Sequence, residues 1–391
     1  MIKGLAFIPP DRDRRAAVLP SGRVRILLDY RSALRNRTGV GEFAHNMAAA
    51  LARLDGSADQ LTLFSSSWKD RLVTDAVPGA AVVDRRIPVS ILNFAWHRLE
   101  WPPVEHIGAP ADVAWSLHPM LMPAGSAAQV ITIYDLYFLD HPERTAGEVR
   151  RDYSTLAADH ARRADAIIVC SEYTRDQVVA RLGVSAEKIA VCYPGAPGWV
   201  ARQQPSTAGP ILHVGTWEPR KNIPALQKAY LDVVSGRPGA PPLVFVGGHG
   251  SFASLVRTED SELLRTHIRA TGYVTDDEKL RLYREASMLV MASADEGFGI
   301  PALEAMTIGL PVVASNRGAL PEVIGDAGLL VDPDDADAFS GAIRRVLDDR
   351  ALREDLARRG VERSRRFNWD ASATIARSAF ETAIGRRRKR A

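Results

Sequence analysis

Short β-branched runs alternate with amphipathic stretches along nearly the whole chain, and that alternation limits the fold more than any other feature. The runs read RVRILLDY, LTLFSS, AVVD, VAWSL, VITIYD, AIIVCS and KIAVCYPG in the first half. In the second half they read ILHVGT, LVFVGG, TGYV, MLVMAS, PVVAS and GLLVDP. The stretches between them, such as LQKAYLDVV and EKLRLYREA, carry apolar residues at helical spacing. Strands alternating with helices build parallel sheets covered on both faces. So many strands do not fit one open sheet, and 391 residues favour two domains. The break falls at PGAPGWVARQQPSTAGP, which is rich in Pro, Gly and polar residues and has no periodicity. The expectation is an α/β protein with two doubly wound, Rossmann-like halves facing across a cleft. Each half binds ligands at the carboxyl ends of its strands. The halves are expected at 23–195 and 211–368, joined by a linker at 196–210. A C-terminal helix and basic tail at 369–391 is expected to pack back on the first half, and 1–22 reads as a poorly ordered extension.

Hydrophobic residues make up 46% of the chain and charged residues 25%, as in ordinary soluble globular proteins. The formal charge of +3 rests on the last stretch, GRRRKRA; without it the body turns slightly negative. That argues against a nucleic-acid-binding surface spread over the fold. The tail is either the solvated end of a last helix or a peripheral contact with an anionic membrane. Cys170 and Cys192 sit in apolar, strand-like runs and are expected to be buried and reduced, as in a cytoplasmic protein. No run approaches the roughly 18 apolar residues of a membrane span. The start, MIKGLAFIPPDRDRR, is apolar too briefly for a signal peptide.

EGFGIPALEAM, residues 296–306, sets Glu296 and Glu304 around a loop and a helix start. Pro301 suits the first helical turn, where its missing N–H is not needed. Gly297 and Gly299 permit unusual backbone angles. A helix N-terminus is a natural seat for phosphate. The two carboxylates would repel phosphate but accept hydrogen bonds from hydroxyls, as a sugar and a ribose flanking a diphosphate require. The plainer reading has Glu304 favouring the helix dipole and Glu296 capping a loop.

HVGTWEPRKN, residues 213–222, ends a buried strand at Gly215 and runs through Thr216, Arg220 and Lys221 into a helix near Pro224. Adjacent cations at a strand's carboxyl end are placed to meet anions. In DYRSALRNRTGVGEFAHNM, Gly39 and Gly41 mark either a phosphate-facing loop or a plain tight turn. In VITIYDLYFLDHPE, Tyr134 and Asp135 follow a buried strand and should face the cleft, unless Asp135 only caps a helix. The nine histidines show no metal-ligand spacing, and the acids of VDPDDADAF read as helix caps, so no metal site is expected.

Taken together, EGFGIPALEAM and VGTWEPRKN resemble the retaining nucleotide-sugar glycosyltransferases of family four, which have the GT-B fold. The resemblance runs from about residue 23 to 385 and is densest in the second half. The form GTWEPRKN is similar to that of mannosyltransferase-like members, which implies GDP-mannose as donor. The resemblance implies that Glu296 touches donor sugar hydroxyls and Glu304 the ribose. It gives the diphosphate to Arg220 and Lys221, to the backbone at Gly297, Phe298, Gly299 and Ile300, and to the loop at Gly39 and Gly41. Gly215, Thr216, Tyr273 and Val274 fall at further donor-side positions. Many members carry His where this chain has Tyr134, so Asp135 or His118, on the acceptor side, becomes a candidate for the reaction centre. Some members also place Arg at the position of Thr216. The implied chemistry needs no cofactor: the acceptor hydroxyl of a glycan, lipid-linked saccharide or small molecule attacks the same face of the sugar that the nucleotide leaves. A nucleotide-sugar epimerase or hydrolase, or a non-catalytic sugar-nucleotide binding protein, shares the architecture and stands as the alternative.

Overall fold

The computed structural model describes residues 23–390 except 35–38, 55–58, 143–151, 205, 207, 238 and 249–261. The expected extension at 1–22 lies outside the described residues. Two parallel sheets carry the chain. The first has seven strands in the order β3-β2-β1-β4-β5-β6-β7. These are β1 Arg25–Asp29, β2 Gln60–Ser66, β3 Ala81–Arg85, β4 Val113–Ser116, β5 Ala128–Ile133, β6 Ala166–Val169 and β7 Ile189–Val191. The second has six strands in the order β10-β9-β8-β11-β12-β13. These are β8 Ile211–Val214, β9 Leu243–Val246, β10 Ile268–Gly272, β11 Met288–Met291, β12 Val312–Ser315 and β13 Leu329–Val331.

Burial explains why these runs are strands. β5, β6, β8, β9, β11 and β12 are buried at every position, as parallel strands under two helical layers must be. The last strands of each sheet, β7 and β13, are only half-buried. One strand differs from the sequence expectation. TGYV was expected to be extended; β10, IRATG, takes in its Thr271 and Gly272 but begins three residues earlier and stops before Tyr273. It is an edge strand whose alternate residues Arg269 and Thr271 face outward, so its apolar signal is weak. Tyr273 and Val274 follow it.

Strand order reverses beside β1 and β4 in the first sheet and beside β8 and β11 in the second. Those are the switch points where a doubly wound sheet opens a crevice. The loops after β8 and β11 are HVGTWEPRKN and ASADEGFG. The C-terminal helix Trp369–Arg390 returns to the first sheet, packing on the helix Val40–Arg53 and on β5. Phe380 meets Trp115 at 5.2 Å between ring centroids, and Trp369 meets Phe43 at 5.6 Å.

Both cysteines are free and buried. Asp335, expected as a helix cap, accepts from the backbone N–H of Ala338 at 2.9 Å. Among the described residues no helix is long and apolar enough to cross a membrane.

Candidate active site

β8 ends at Val214, Gly215 follows, and the chain turns through a short 3-10 segment, Pro219–Lys221, before the helix Ile223–Gly236. β11 ends in a loop that reaches the helix Ile300–Thr307, with Gly299 at a φ of 102° and Pro301 in the first turn. A backbone hydrogen bond from Ala294 to the Arg220 carbonyl, 2.7 Å, ties the two loops together. Glu296 joins them again through its side chain. One carboxylate oxygen accepts from Lys221 Nζ at 2.6 Å and Ser293 Oγ at 2.7 Å; the other accepts from Arg220 Nη1 at 2.9 Å. Arg220 Nε also donates to Glu218 at 2.7 Å, and Glu218 accepts from Thr216 Oγ1 at 2.7 Å.

This cluster is nearly dry: Glu296 is 4% exposed and Lys221 6%. Burial alone would raise the Glu296 pKa, but Lys221 and Arg220 outweigh it and hold the carboxyl at about 2. Burial would lower Arg220, but Glu296, Asp135 and Glu218 together outweigh it, so the guanidinium is held more firmly protonated. The family resemblance implied separate tasks, the diphosphate for the two cations and sugar hydroxyls for Glu296. In the structure the three form one unit whose charges, with Glu218, already cancel.

Glu304 lies one turn into its helix and is 4% exposed. Its oxygens accept from Lys279 Nζ at 2.7 Å and from Tyr283 Oη at 2.8 Å. Lys279 and Tyr283 stand one turn apart on the helix Asp276–Glu285, so one face supplies both donors. Burial would lower the Lys279 pKa, but Glu304 beside it raises it overall. A cavity of about 200 Å³ opens here, lined by Glu304, Ile300, Leu303 and, from the first domain, Glu42 and Asn46. Burial pushes the Glu42 carboxyl up from its usual range.

The facing wall comes from the loops after β4 and β5. A cavity of about 610 Å³ is lined by His118, Tyr134, Asp135, Val40, Glu218 and Arg220, so both domains contribute. The Tyr134 ring packs edge-on against Phe43 at 5.4 Å. Its hydroxyl is buried with no hydrogen-bond partner among the described residues. Burial raises its pKa well above the usual value, so it stays a protonated donor. Asp135 lines this cavity and also accepts from the Tyr137 N–H at 3.2 Å, but the N-cap of the helix Tyr137–Asp140 is Leu136, so Asp135 is not merely a helix cap.

The walls meet at Gly297. A Cβ there would lie 1.9 Å from the Tyr134 carbonyl oxygen, so only glycine permits the contact. The Gly297 carbonyl accepts from Ser171 Oγ at 2.7 Å and from Cys170 Sγ at 3.1 Å. Glu322, in the helix Leu320–Ile324, accepts from the N–H groups of Glu172 and Tyr173 at 2.8 and 3.0 Å and from Tyr193 Oη at 2.7 Å.

Several expected residues fall elsewhere. The Phe298 ring packs in the core beside Tyr193 and Phe367, at 6.2 and 5.6 Å, leaving only its backbone for a ligand. Tyr273 is 53% exposed; like Glu296, Lys221 and Gly297, the residues Tyr273, Val274 and Gly39 are outside the lining of both cavities, and unlike them they make none of the site contacts described above. Gly41 is buried against the Ser32 carbonyl. Lys279, Tyr283, Ser293, Glu42 and Glu322 were not singled out in the sequence. Lys279 and Tyr283 left a signal, as charged and aromatic residues four apart in EKLRLY, and Ser293 stands only three residues before Glu296 in the same loop; Glu42 and Glu322 meet the site through long-range folding. Among the described residues no group of three His, Cys, Asp or Glu is placed to hold a metal ion.

The family profile described as glycosyl transferases group 1 matches residues 202–363, and a glycosyl transferase 4-like domain matches 38–195. The O-antigen chain mannosyltransferase B of Escherichia coli is 32% identical over 265 residues, covering 64% of this chain and 70% of that protein. A D-inositol 3-phosphate glycosyltransferase of Acidothermus cellulolyticus is 31% identical over 256 residues, 59% of this chain and 56% of that one. The alignment thus spans little more than half of the second relative. Sucrose-phosphate synthase from Thermosynechococcus elongatus shares the fold, with a TM-score of 0.70 at 20% identity over 92% of this chain and 98% of that one.

Proposed function

The chain belongs to the group 1 glycosyltransferases and is a hexosyltransferase with the GT-B fold, and on that footing we propose that it moves mannose from GDP-mannose to a hydroxyl of a glycan or lipid-linked saccharide, with retention at the anomeric carbon. The observation that carries this reading is the buried Arg220–Glu296–Lys221 cluster, whose Arg220 lines one cavity together with Tyr134 and Asp135 of the first domain. The mannosyltransferase relative supports the sugar.

In this reading the bond between the sugar C1 and the diphosphate oxygen breaks, and that oxygen gains negative charge. Arg220, Lys221 and the start of the helix Ile300–Thr307 are preset to receive it, at no cost of rearrangement. Glu296 fixes both cations in place and keeps a lone pair for a sugar hydroxyl. Glu304, aimed by Lys279 and Tyr283, accepts from the ribose. The acceptor oxygen bonds to C1 on the face the nucleotide leaves, and its proton passes to the departing phosphate oxygen. Tyr134 donates to the donor from the opposite wall.

The test is a panel of nucleotide sugars, with and without glycan acceptors, read by nucleoside diphosphate release and by the anomeric signal of the product. Acceptor-dependent release with GDP-mannose and a retained anomer is expected. Equal release without acceptor moves the assignment to a hydrolase or epimerase; binding without turnover makes it a sugar-nucleotide binding protein. Activity is expected to survive EDTA, and loss that manganese or magnesium restores would overturn the metal-independent mechanism.

A further inference from the structure

Ten large hydrophobic residues are exposed among the described residues, and seven of them fall between Trp68 and Trp101. Chance scatter over the surface does not give that concentration. Trp68 and Val73 lie in the loop after β2. Ile91 and Phe94 lie on the helix Val89–Phe94, Leu99 on its continuation Ala95–Leu99, and Trp101 just beyond. The same helix buries Leu92, Asn93 and Trp96 on its inner side, so its apolar residues form two faces, one packed and one bare.

Hydrogen bonds hold these segments on one edge of the domain. Ser66 Oγ donates to the Ile87 carbonyl at 2.8 Å, the Leu72 N–H donates to Asp84 at 3.2 Å, and Trp101 N–H folds back onto the Ala95 carbonyl at 3.4 Å. The exposed charges around the patch are mainly basic. Lys69, Arg71, Arg85, Arg86 and Arg98 outnumber Asp75 and Glu100; Arg71 and Arg98 pair with Asp84 and Asp152 while staying partly exposed, and Arg85 donates to the Ile107 carbonyl. Exposed Trp and Phe ringed by Arg and Lys suit the interface of an anionic bilayer, where aromatic rings sit at headgroup depth and basic side chains meet lipid phosphate.

We propose that this edge of the first domain, from Trp68 to Trp101, is a docking surface for an anionic phospholipid bilayer. Its position gives it a use. Trp68 and the helix Val89–Phe94 follow the carboxyl ends of β2 and β3, the end at which the cleft opens. A cavity of about 410 Å³ adjoins the patch, lined by Ser67, Val89, Asn93, Trp96 and His118, and His118 also lines the cavity of Tyr134. A saccharide held by a lipid in the docked bilayer therefore has a short path to the cleft. The docking is independent of the reading of the reaction; only this delivery rests on it. The basic C-terminal tail is the weaker surface. Arg386, Arg387 and Arg390 are spent on carbonyls at 124, 125, 163, 165 and 187, next to the amino ends of β5, β6 and β7, away from the cleft.

The experiment is co-sedimentation of the full chain with vesicles of phosphatidylcholine, with and without phosphatidylglycerol, alongside nucleotide-sugar turnover in the absence of vesicles. Partition onto the anionic vesicles is expected. The double variant Ile91→Ser/Phe94→Ser should weaken it about tenfold or more, the effect of removing two large apolar side chains from the interface. Leu99→Ser/Trp101→Ser provides a second, separate pair should the first misfold. Vesicle-free turnover should be unchanged in both, so a failure of the docking is told apart from a failure of the assigned reaction. The proposal is overturned if the wild-type chain does not sediment with anionic vesicles, or if folded variants sediment as the wild type does. It is also overturned if the same substitutions instead abolish a dimer, or if Arg388→Ser/Lys389→Ser removes the partition while the patch variants keep it.

Discussion

The two walls of the cleft are built on opposite plans. On the second-domain wall both buried carboxylates are already answered: Glu296 by Lys221, Arg220 and Ser293, and Glu304 by Lys279 and Tyr283. On the first domain the Tyr134 hydroxyl is buried and unanswered. A satisfied buried network costs nothing further and holds its geometry without a ligand. An unpaired buried hydroxyl costs stability until something accepts from it. The difference teaches that the donor-side wall is preset, while the opposite wall is completed by what enters.

The sharpest way to break the comparison is to hold the walls apart. Gly297→Val puts side-chain atoms where the Tyr134 carbonyl lies, 1.9 Å from a Cβ. Transfer should fall by about a hundredfold or more, as misplacement near 1 Å does, and small-angle scattering should show a wider particle. A normal rate in this variant would mean that the contact is incidental.

Lys221→Ala tests the preset wall. The leaving group gains charge as the bond breaks, so kcat should fall about 100-fold with a smaller change in KM. A change confined to KM would show that Lys221 serves binding alone.

Glu304→Ala removes the carboxylate between Lys279 and Tyr283. Nucleoside diphosphate binding, measured by calorimetry, should weaken by about 1–3 kcal/mol. Unchanged affinity in a folded variant leaves Glu304 as a structural residue.

Tyr134→Phe asks the same of the open wall, with a smaller effect. Transfer should slow about tenfold, through loss of one donor. The free protein should melt higher, because a buried hydroxyl without a partner is gone. A lower melting point together with full activity would make the two walls alike.

Acid should separate the domains last. His160 in the first domain and His213 in the second are each held near a pKa of about 4, mainly by burial, against 6.5 ordinarily. The unfolded chain therefore binds more protons between those values, and both domains lose stability as pH falls from 6.5 to 4. Glu296, depressed to about 2, gives stability that is present above 4.5 and lost as pH falls toward 2. Hydrogen exchange should show the loop at Glu296 loosening further below pH 4.5 than the first-domain loops do. Equal loosening would remove the asymmetry.

The second-domain wall was legible because two short segments, HVGTWEPRKN and EGFGIPALEAM, each follow a buried strand and carry nearly all its polar groups. The first-domain wall was less so. His118 and Tyr134 follow different strands, with no spacing that links them, and in the segment at Gly39 and Gly41 it is the neighbours Val40 and Glu42, not the glycines, that line the cavities. The alternation of strands and helices by itself determined two parallel sheets, since only that layering buries β-branched runs on both faces. Pro301 and the glycines likewise determined a loop-to-helix turn. Tertiary structure alone decided that Glu296 neutralises the very cations beside which it was expected to act, because 75 residues separate Lys221 from it and only the β8–β11 switch point brings them to 2.6 Å. It also decided that Gly297 touches Tyr134. Two domains meet there, and no local pattern in either one records the distance to the other.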